Sequence, residues 1–356
     1  MSDTTEALTV VSASDAAALE RDAADDNILR VPPHWRSPVD RNPFAAEAER
    51  AIRSWFVQLG CSESELARAH KFDIAGYLGI AFPRVSPELA VRIGKYLSIW
   101  LLWDDVDVES LENRWRIQLP DVLSGVRPRG SRFDHGWWQL FREFAGRRSV
   151  RWLEDLGAAM KRWSDAAVAE AAAMKRYRER GELPRFEEQI ELRIATIGMY
   201  ATVYLLEDEY DYELPPSFHS NLAVRRMKRL ANLLVGLGND LFSWGKDVSE
   251  HQINLVTTLV EQRGWSPQRA LAHVISLHDR AVEEFDVLAE ILTDMGDEFD
   301  GVVRRWIEDV RFASIGFTRW EAQAPRYVAH KVVVGNRVLE PVLSFEEACA
   351  YSWGAQ

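Results

Sequence analysis

Apolar residues along this chain recur mainly at three- and four-residue spacing, the period of helices that bury one face. The pattern predicts helices over 44–59, 135–146, 150–180, 185–206, 222–247, 267–292 and 299–317. From 267 onward, Val274, Leu277, Ala281, Phe285 and Leu288 keep to one helical face. Ser86-Pro87-Glu88 and Ser266-Pro267 read as helix starts, with a capping hydroxyl and proline at the first position. The helix opened at Ser86 should run to about Asp107. The one strand signal is a short stretch at 332–338 around Gly335-Asn336. No Gly/Ser-rich or Pro-rich linker divides the chain and no internal repeat is visible, so one all-α domain is expected over 33–345. Residues 1–32 are poor in large apolar side chains and are expected to be unstructured, and 346–356 form a tail.

Composition narrows the function classes. The chain has 356 residues and a formal charge of −12, which argues against a non-specific nucleic-acid binder. Its two cysteines, Cys61 and Cys349, and its scattered histidines offer no zinc spacing. No basic, apolar leader opens the sequence and no apolar run reaches spanning length, so a cytoplasmic protein without stable membrane insertion is expected.

Two polar clusters interrupt this picture. Asp104-Asp105-Val106-Asp107, with Glu109 beyond, closes the apolar run 97–103. Acids at a helix C-terminus oppose the helix dipole, a conflict that a bound cation would resolve. Asn239, Ser243 and Asp247 are spaced i, i+4, i+8 and share one helical face. Both clusters are rich in hard oxygen ligands, which suit Mg²⁺ bridging a protein to substrate phosphates. The denser acidic stretch 207–213, ahead of Pro215-Pro216, is expected to be a solvated loop.

With these motifs the chain resembles the class I terpene synthases of bacterial type. Asp104-Asp105 with Glu109 fits their DDxxxE motif, although Asp107 also permits a DDxD reading. Asn239-Asp240, Ser243 and Lys246-Asp247 fit NDxxSxxxE, with Asp in place of Glu. Arg193, Thr196 and Gly198 fit RxxTxG, while the family's usual Tyr four residues earlier is Gln189 here. Trp320 precedes the Arg326-Tyr327 pair by the expected six residues. The resemblance covers about 42–327.

It implies a single-domain α-helical bundle of the class I terpenoid synthase type around a central active-site cavity. It further implies a helix break at Thr196, Ile197 and Gly198. The expected substrate is a linear isoprenoid diphosphate, farnesyl diphosphate first and geranylgeranyl diphosphate next. Three Mg²⁺ would be held by Asp104, with Asp105 or Glu109, and by Asn239, Ser243 and Asp247. Arg193, Lys246, Arg326 and Tyr327 would bind the diphosphate. Trp320, Trp100, Trp103, Phe82 and Tyr200 are candidates for the aromatic pocket around the carbocation. The readings left open are a chain-elongating prenyl diphosphate synthase and a non-catalytic isoprenoid-binding protein; a homodimer is compatible with each.

Overall fold

The computed structural model describes residues 7–11, 27–106, 115–210, 213–293, 300–334 and 337–345. Fifteen α-helices are present among them. They are α1 (Ala45–Gln58), α2 (Glu63–Lys71), α3 (Ile74–Ala81), α4 (Pro87–Val106), α5 (Leu119–Ser124) and α6 (Arg132–Ala145). Next come α7 (Val150–Arg180), α8 (Phe186–Thr196), α9 (Met199–Glu207), α10 (Pro216–Ser220) and α11 (Leu222–Ser249). The last are α12 (Leu255–Arg263), α13 (Pro267–Thr293), α14 (Asp300–Glu321) and α15 (Pro325–Val328). The seven helices expected from periodicity are all found, with one divided into α8 and α9, and the helix expected from Ser86 is α4.

The short helices were not legible in the periodicity. Every described residue of α3 except Ala75 is buried, so its apolar residues run without a polar face to reveal a period. At α6 the start lies earlier than expected, at a capping box. Ser131 Oγ accepts from Asp134 N, and Asp134 Oδ2 accepts from Ser131 N at 2.8 Å.

Strands occur at both ends of the chain: β1 (Ala7–Val11), β2 (Ile28–Arg30), β3 (His330–Val334), β4 (Arg337–Leu339) and β5 (Val342–Ser344). β3 and β4 pair antiparallel on either side of Gly335-Asn336, as the turn signal suggested. β1 joins β3 and β2 joins β5, both parallel. The stretch 1–32 thus contributes two strands. Leu29 and Val31 are fully buried, and burying such side chains stabilises by about 1.5–3 kcal/mol each. Just beyond, Trp35 Nε1 donates to Asp286, to which Arg311 also donates at 2.6 Å. The folded unit therefore begins before residue 33. Sequence periodicity cannot show this, because the strands acquire partners only some three hundred residues downstream.

The expectation of a solvated acidic loop is overturned where the structure describes it. Glu207 and Asp208 are both 0% exposed. Asp208 is met by Arg92 of α4 at 2.6 Å, by Arg148 at 2.9 Å and by Arg147 at 3.3 Å. Arg148 also donates to the carbonyls of Glu207 and Tyr210. Glu209 accepts from the N–H and hydroxyl of Ser86, at 3.1 and 2.8 Å, and so binds the start of α4. The segment ties α9 to the helix that ends in the aspartate cluster. Asp211 lies outside the described residues.

Candidate functional site

α11 presents Asn239, Ser243 and Asp247 on one face, as the spacing requires. Ser243 and Asp247 are 3% and 6% exposed, and Ser243 Oγ donates to Asp247 Oδ2 at 2.5 Å. Asn254, the cap of α12, donates to the same oxygen at 2.8 Å and to the carbonyl of Asp240. Burial pushes the Asp247 carboxyl above its usual range, against the pull of Lys246, Ser243 and Asn254. A cation among these oxygens would relieve that desolvation. Asn239 Oδ1, Ser243 Oγ and the Asp247 carboxylate are hard donors of the kind Mg²⁺ takes.

Asn239 is a junction of four helices. Its Oδ1 accepts from Arg193 of α8. Its Nδ2 donates to Glu321 Oε1 of α14 at 2.8 Å and reaches Tyr327 Oη of α15 at 3.3 Å. Arg193 also pairs with Asp240 at 2.7 Å and with Glu170 of α7 at 3.2 Å. Burial works against the guanidinium charge, but Asp240 and Glu170 outweigh it and hold the pKa above the ordinary value. Burial also raises Asp240 to about 6, with Arg193 opposing.

Two predicted diphosphate groups, Arg193 and Tyr327, therefore meet at Asn239; the Arg326 guanidinium lies 5.0 Å from the Tyr327 ring. Lys246 instead reaches Glu250 at 2.8 Å and stands 3.9 Å from Asp247. Gly245 explains how the C-terminal segment comes so near. A Cβ there would sit 2.2 Å from the carbonyl oxygen of His330, so only glycine lets β3 cross α11 at this point.

The helix break at Thr196, Ile197 and Gly198 is present between α8 and α9. Gly198 adopts φ +84°, in the left-handed region, and a Cβ there would meet the Trp100 indole at 2.5 Å. Thr196 Oγ1 donates to Glu170, and its carbonyl accepts from Trp163 Nε1 at 2.7 Å. Ile197 caps α8 through its N–H to Arg193 O. The break thus joins the Arg193 network to α4, the helix of the aspartate cluster. We expect Gly198→Ala to destabilise the protein by about 1–3 kcal/mol through backbone strain alone, read as a lower urea midpoint. An unchanged midpoint would show that the break tolerates a side chain.

Asp104 lies at the C-terminal end of α4 and is half-buried. Asp105 is within the same helix, while Asp107 and Glu109 lie outside the described residues.

The aromatic candidates separate into three groups. Trp100 and Trp103 both pack on Trp163, at 5.4 and 5.3 Å between ring centroids, beneath the helix break. Phe82 belongs to a second series that runs through Phe317 and Tyr77 to Trp320 and Tyr327. Trp320 Nε1 donates to Asp73 at 3.1 Å, which fixes the indole beside the Asn239 junction. Tyr200 joins neither group: its ring lies 4.3 Å from the Arg162 guanidinium. Its position one turn beyond the break carried no information about which way the ring would face.

Glu170, Asp240, Asn254 and Glu321 were missed as site residues. Only Asp240 and Glu321 carried a signal, as acids inside apolar helical stretches beside motif residues. Gln189, which stands where the family has Tyr, is fully buried and contacts the Thr258 hydroxyl at 2.5 Å.

Comparison with known proteins bears on the fold and the family. The germacrene A synthase of Nostoc punctiforme is 20% identical over 302 residues, covering 82% of this chain and 92% of that protein. The 7-epi-alpha-eudesmol synthase ((2E,6E)-farnesyl diphosphate cyclizing) of Streptomyces viridochromogenes is 23% identical over 315 residues, covering 83% and 91%. Among solved structures, the linalool/nerolidol synthase of Streptomyces clavuligerus superposes with a TM-score of 0.68 at 18% identity, covering 80% of this chain and 98% of that one. The helical fold is thus that of the class I terpene synthases. The model of terpene synthase family 2, C-terminal metal binding, matches residues 95–284. That span is more than half of the chain and contains Asp104, Arg193 and the Asn239–Asp247 face, so this chain belongs to the terpene synthase family, whose members are lyases.

Proposed function

We propose that the chain is a Mg²⁺-dependent cyclase that ionises a linear isoprenoid diphosphate, farnesyl diphosphate first, and releases pyrophosphate. The observation that carries this reading is the Asn239 junction. One half-buried amide brings together a hard-oxygen face, a sensor arginine, Glu321 and Tyr327 from four helices. The relatives favour the C15 substrate, since the Streptomyces viridochromogenes enzyme is named for cyclising farnesyl diphosphate.

In this reading Asn239, Ser243 and Asp247 hold one Mg²⁺, and Asp104, with Asp105 or Glu109, holds two more. Bound there, Mg²⁺ would act as a Lewis acid that stabilises the leaving diphosphate. The residues do the rest. Arg193 exchanges its carboxylate partners Glu170 and Asp240 for phosphate oxygens, which its planar fork matches. Because Thr196 shares Glu170 with Arg193, that exchange reaches the helix break and the tryptophans packed on it. Arg326 and Tyr327 donate from the opposite side. The Trp100–Trp103–Trp163 group and the Phe82–Trp320 series offer dry π faces to a carbocation.

Incubation with farnesyl diphosphate and Mg²⁺, without isopentenyl diphosphate, is expected to release pyrophosphate and a cyclic C15 product seen by gas chromatography–mass spectrometry. Chelation of the metal should stop it. Turnover only when isopentenyl diphosphate is added would assign chain elongation instead, and turnover only with geranylgeranyl diphosphate would move the substrate to C20.

A further inference from the structure

Glu321 is the last residue of α14, directly after Trp320, and is 3% exposed. Apart from its bond from Asn239, it is costly. Among the described residues its Oε2 is buried without a hydrogen-bond partner. An apolar side chain would fill the same space without that penalty. Among the described residues its one hydrogen bond is Oε1 with Asn239 Nδ2 at 2.8 Å.

That contact decides which way the Asn239 amide faces. On the opposite side Arg193 can only donate, so it must meet the carbonyl oxygen. A flipped amide would set its NH₂ against a guanidinium and its oxygen against a carboxyl oxygen. The Tyr327 hydroxyl stands within 3.3 Å of the same Nδ2 and adds a weaker hold. If a diphosphate draws Arg193 away, Arg193 no longer orients the amide, and Glu321 remains.

We propose that Glu321 is a positioning residue that holds Asn239 Nδ2 so that Oδ1 stays directed at the metal–diphosphate site. The proposal rests on the reading of Asn239 as a metal ligand. Groups behind a metal ligand fix its orientation, and their loss typically lowers metal affinity by about 10–100-fold.

The test is a double-mutant cycle read by calorimetric titration of Mg²⁺ with pyrophosphate, independent of turnover. Glu321→Leu is expected to weaken binding by about tenfold or more. Glu321→Gln, which keeps an acceptor at the same reach, should stay within about threefold of wild type. In an Asn239→Ala background, Glu321→Leu should cost nothing further, because the group it orients is gone. Glu321→Ser, polar but too short to reach Asn239, should repeat the loss if the leucine variant folds poorly. Losses that add in the double mutant, or native affinity in both Glu321→Leu and Glu321→Ser, would overturn the positioning role. Absence of Mg²⁺-dependent pyrophosphate binding in the wild type would instead overturn the reading of the site, and the role with it. Intact wild-type binding that Asn239→Ala leaves unchanged would remove Asn239 as a ligand while leaving the family intact.

Discussion

Asn239→Ala is expected to lower turnover of the isoprenoid diphosphate by about 10²–10³-fold or more, with an unchanged helical circular dichroism spectrum. In the proposed site the substitution removes a metal-ligand oxygen that no neighbour replaces. It also lets Arg193 and Glu321, which now flank the amide, approach each other across the space left behind. A direct ion pair between them would withdraw the arginine from the diphosphate. Stability should change little, since the new pair offsets the lost hydrogen bonds. Asp104→Ala should cause a comparable loss from the other cluster. Activity within a few-fold of wild type in either variant, with native circular dichroism, would sink the two-cluster site.

Asp208→Ala is expected to destabilise the fold by about 3–5 kcal/mol, the cost of leaving buried cations without their partner. Asp208 is 0% exposed, and Arg148 and Arg92 beside it are 5% and 11% exposed. Arg147, 49% exposed, can turn to water, but the other two cannot. Asp208→Asn keeps the shape and one acceptor oxygen and should cost less. Urea denaturation followed by circular dichroism measures both variants. A midpoint for Asp208→Ala equal to wild type would show that the arginine cluster is satisfied elsewhere. Glu209 makes a milder case: losing its bonds to Ser86 removes support for one helix start, worth about 1 kcal/mol. By sequence alone this stretch reads as a solvated loop. The difference lies in the arginines, which come from 92 and 147–148 and meet it only in the folded chain.

What the sequence determined by itself was local or one-dimensional. Helix starts at Ser86 and Ser266 follow from the chemistry of a hydroxyl cap and a proline, which needs no distant partner. The shared face of Asn239, Ser243 and Asp247 follows from 3.6 residues per turn, so the candidate metal face was legible once 222–247 was read as a helix. The helix break at Gly198 was marked by the family motif, although periodicity alone ran through it. Tertiary structure decided whatever depends on residues far apart in sequence. It buried Asp208 among arginines and gave β1 and β2 their partners near the C-terminus. It made Glu170 and Glu321 the companions of Arg193 and Asn239, turned Tyr200 towards Arg162, and left α3 without a polar face. The physical reason is common to all of these. A side chain's spacing fixes its direction on its own helix, but its burial and its charge partners are set by the surface that another element brings to it.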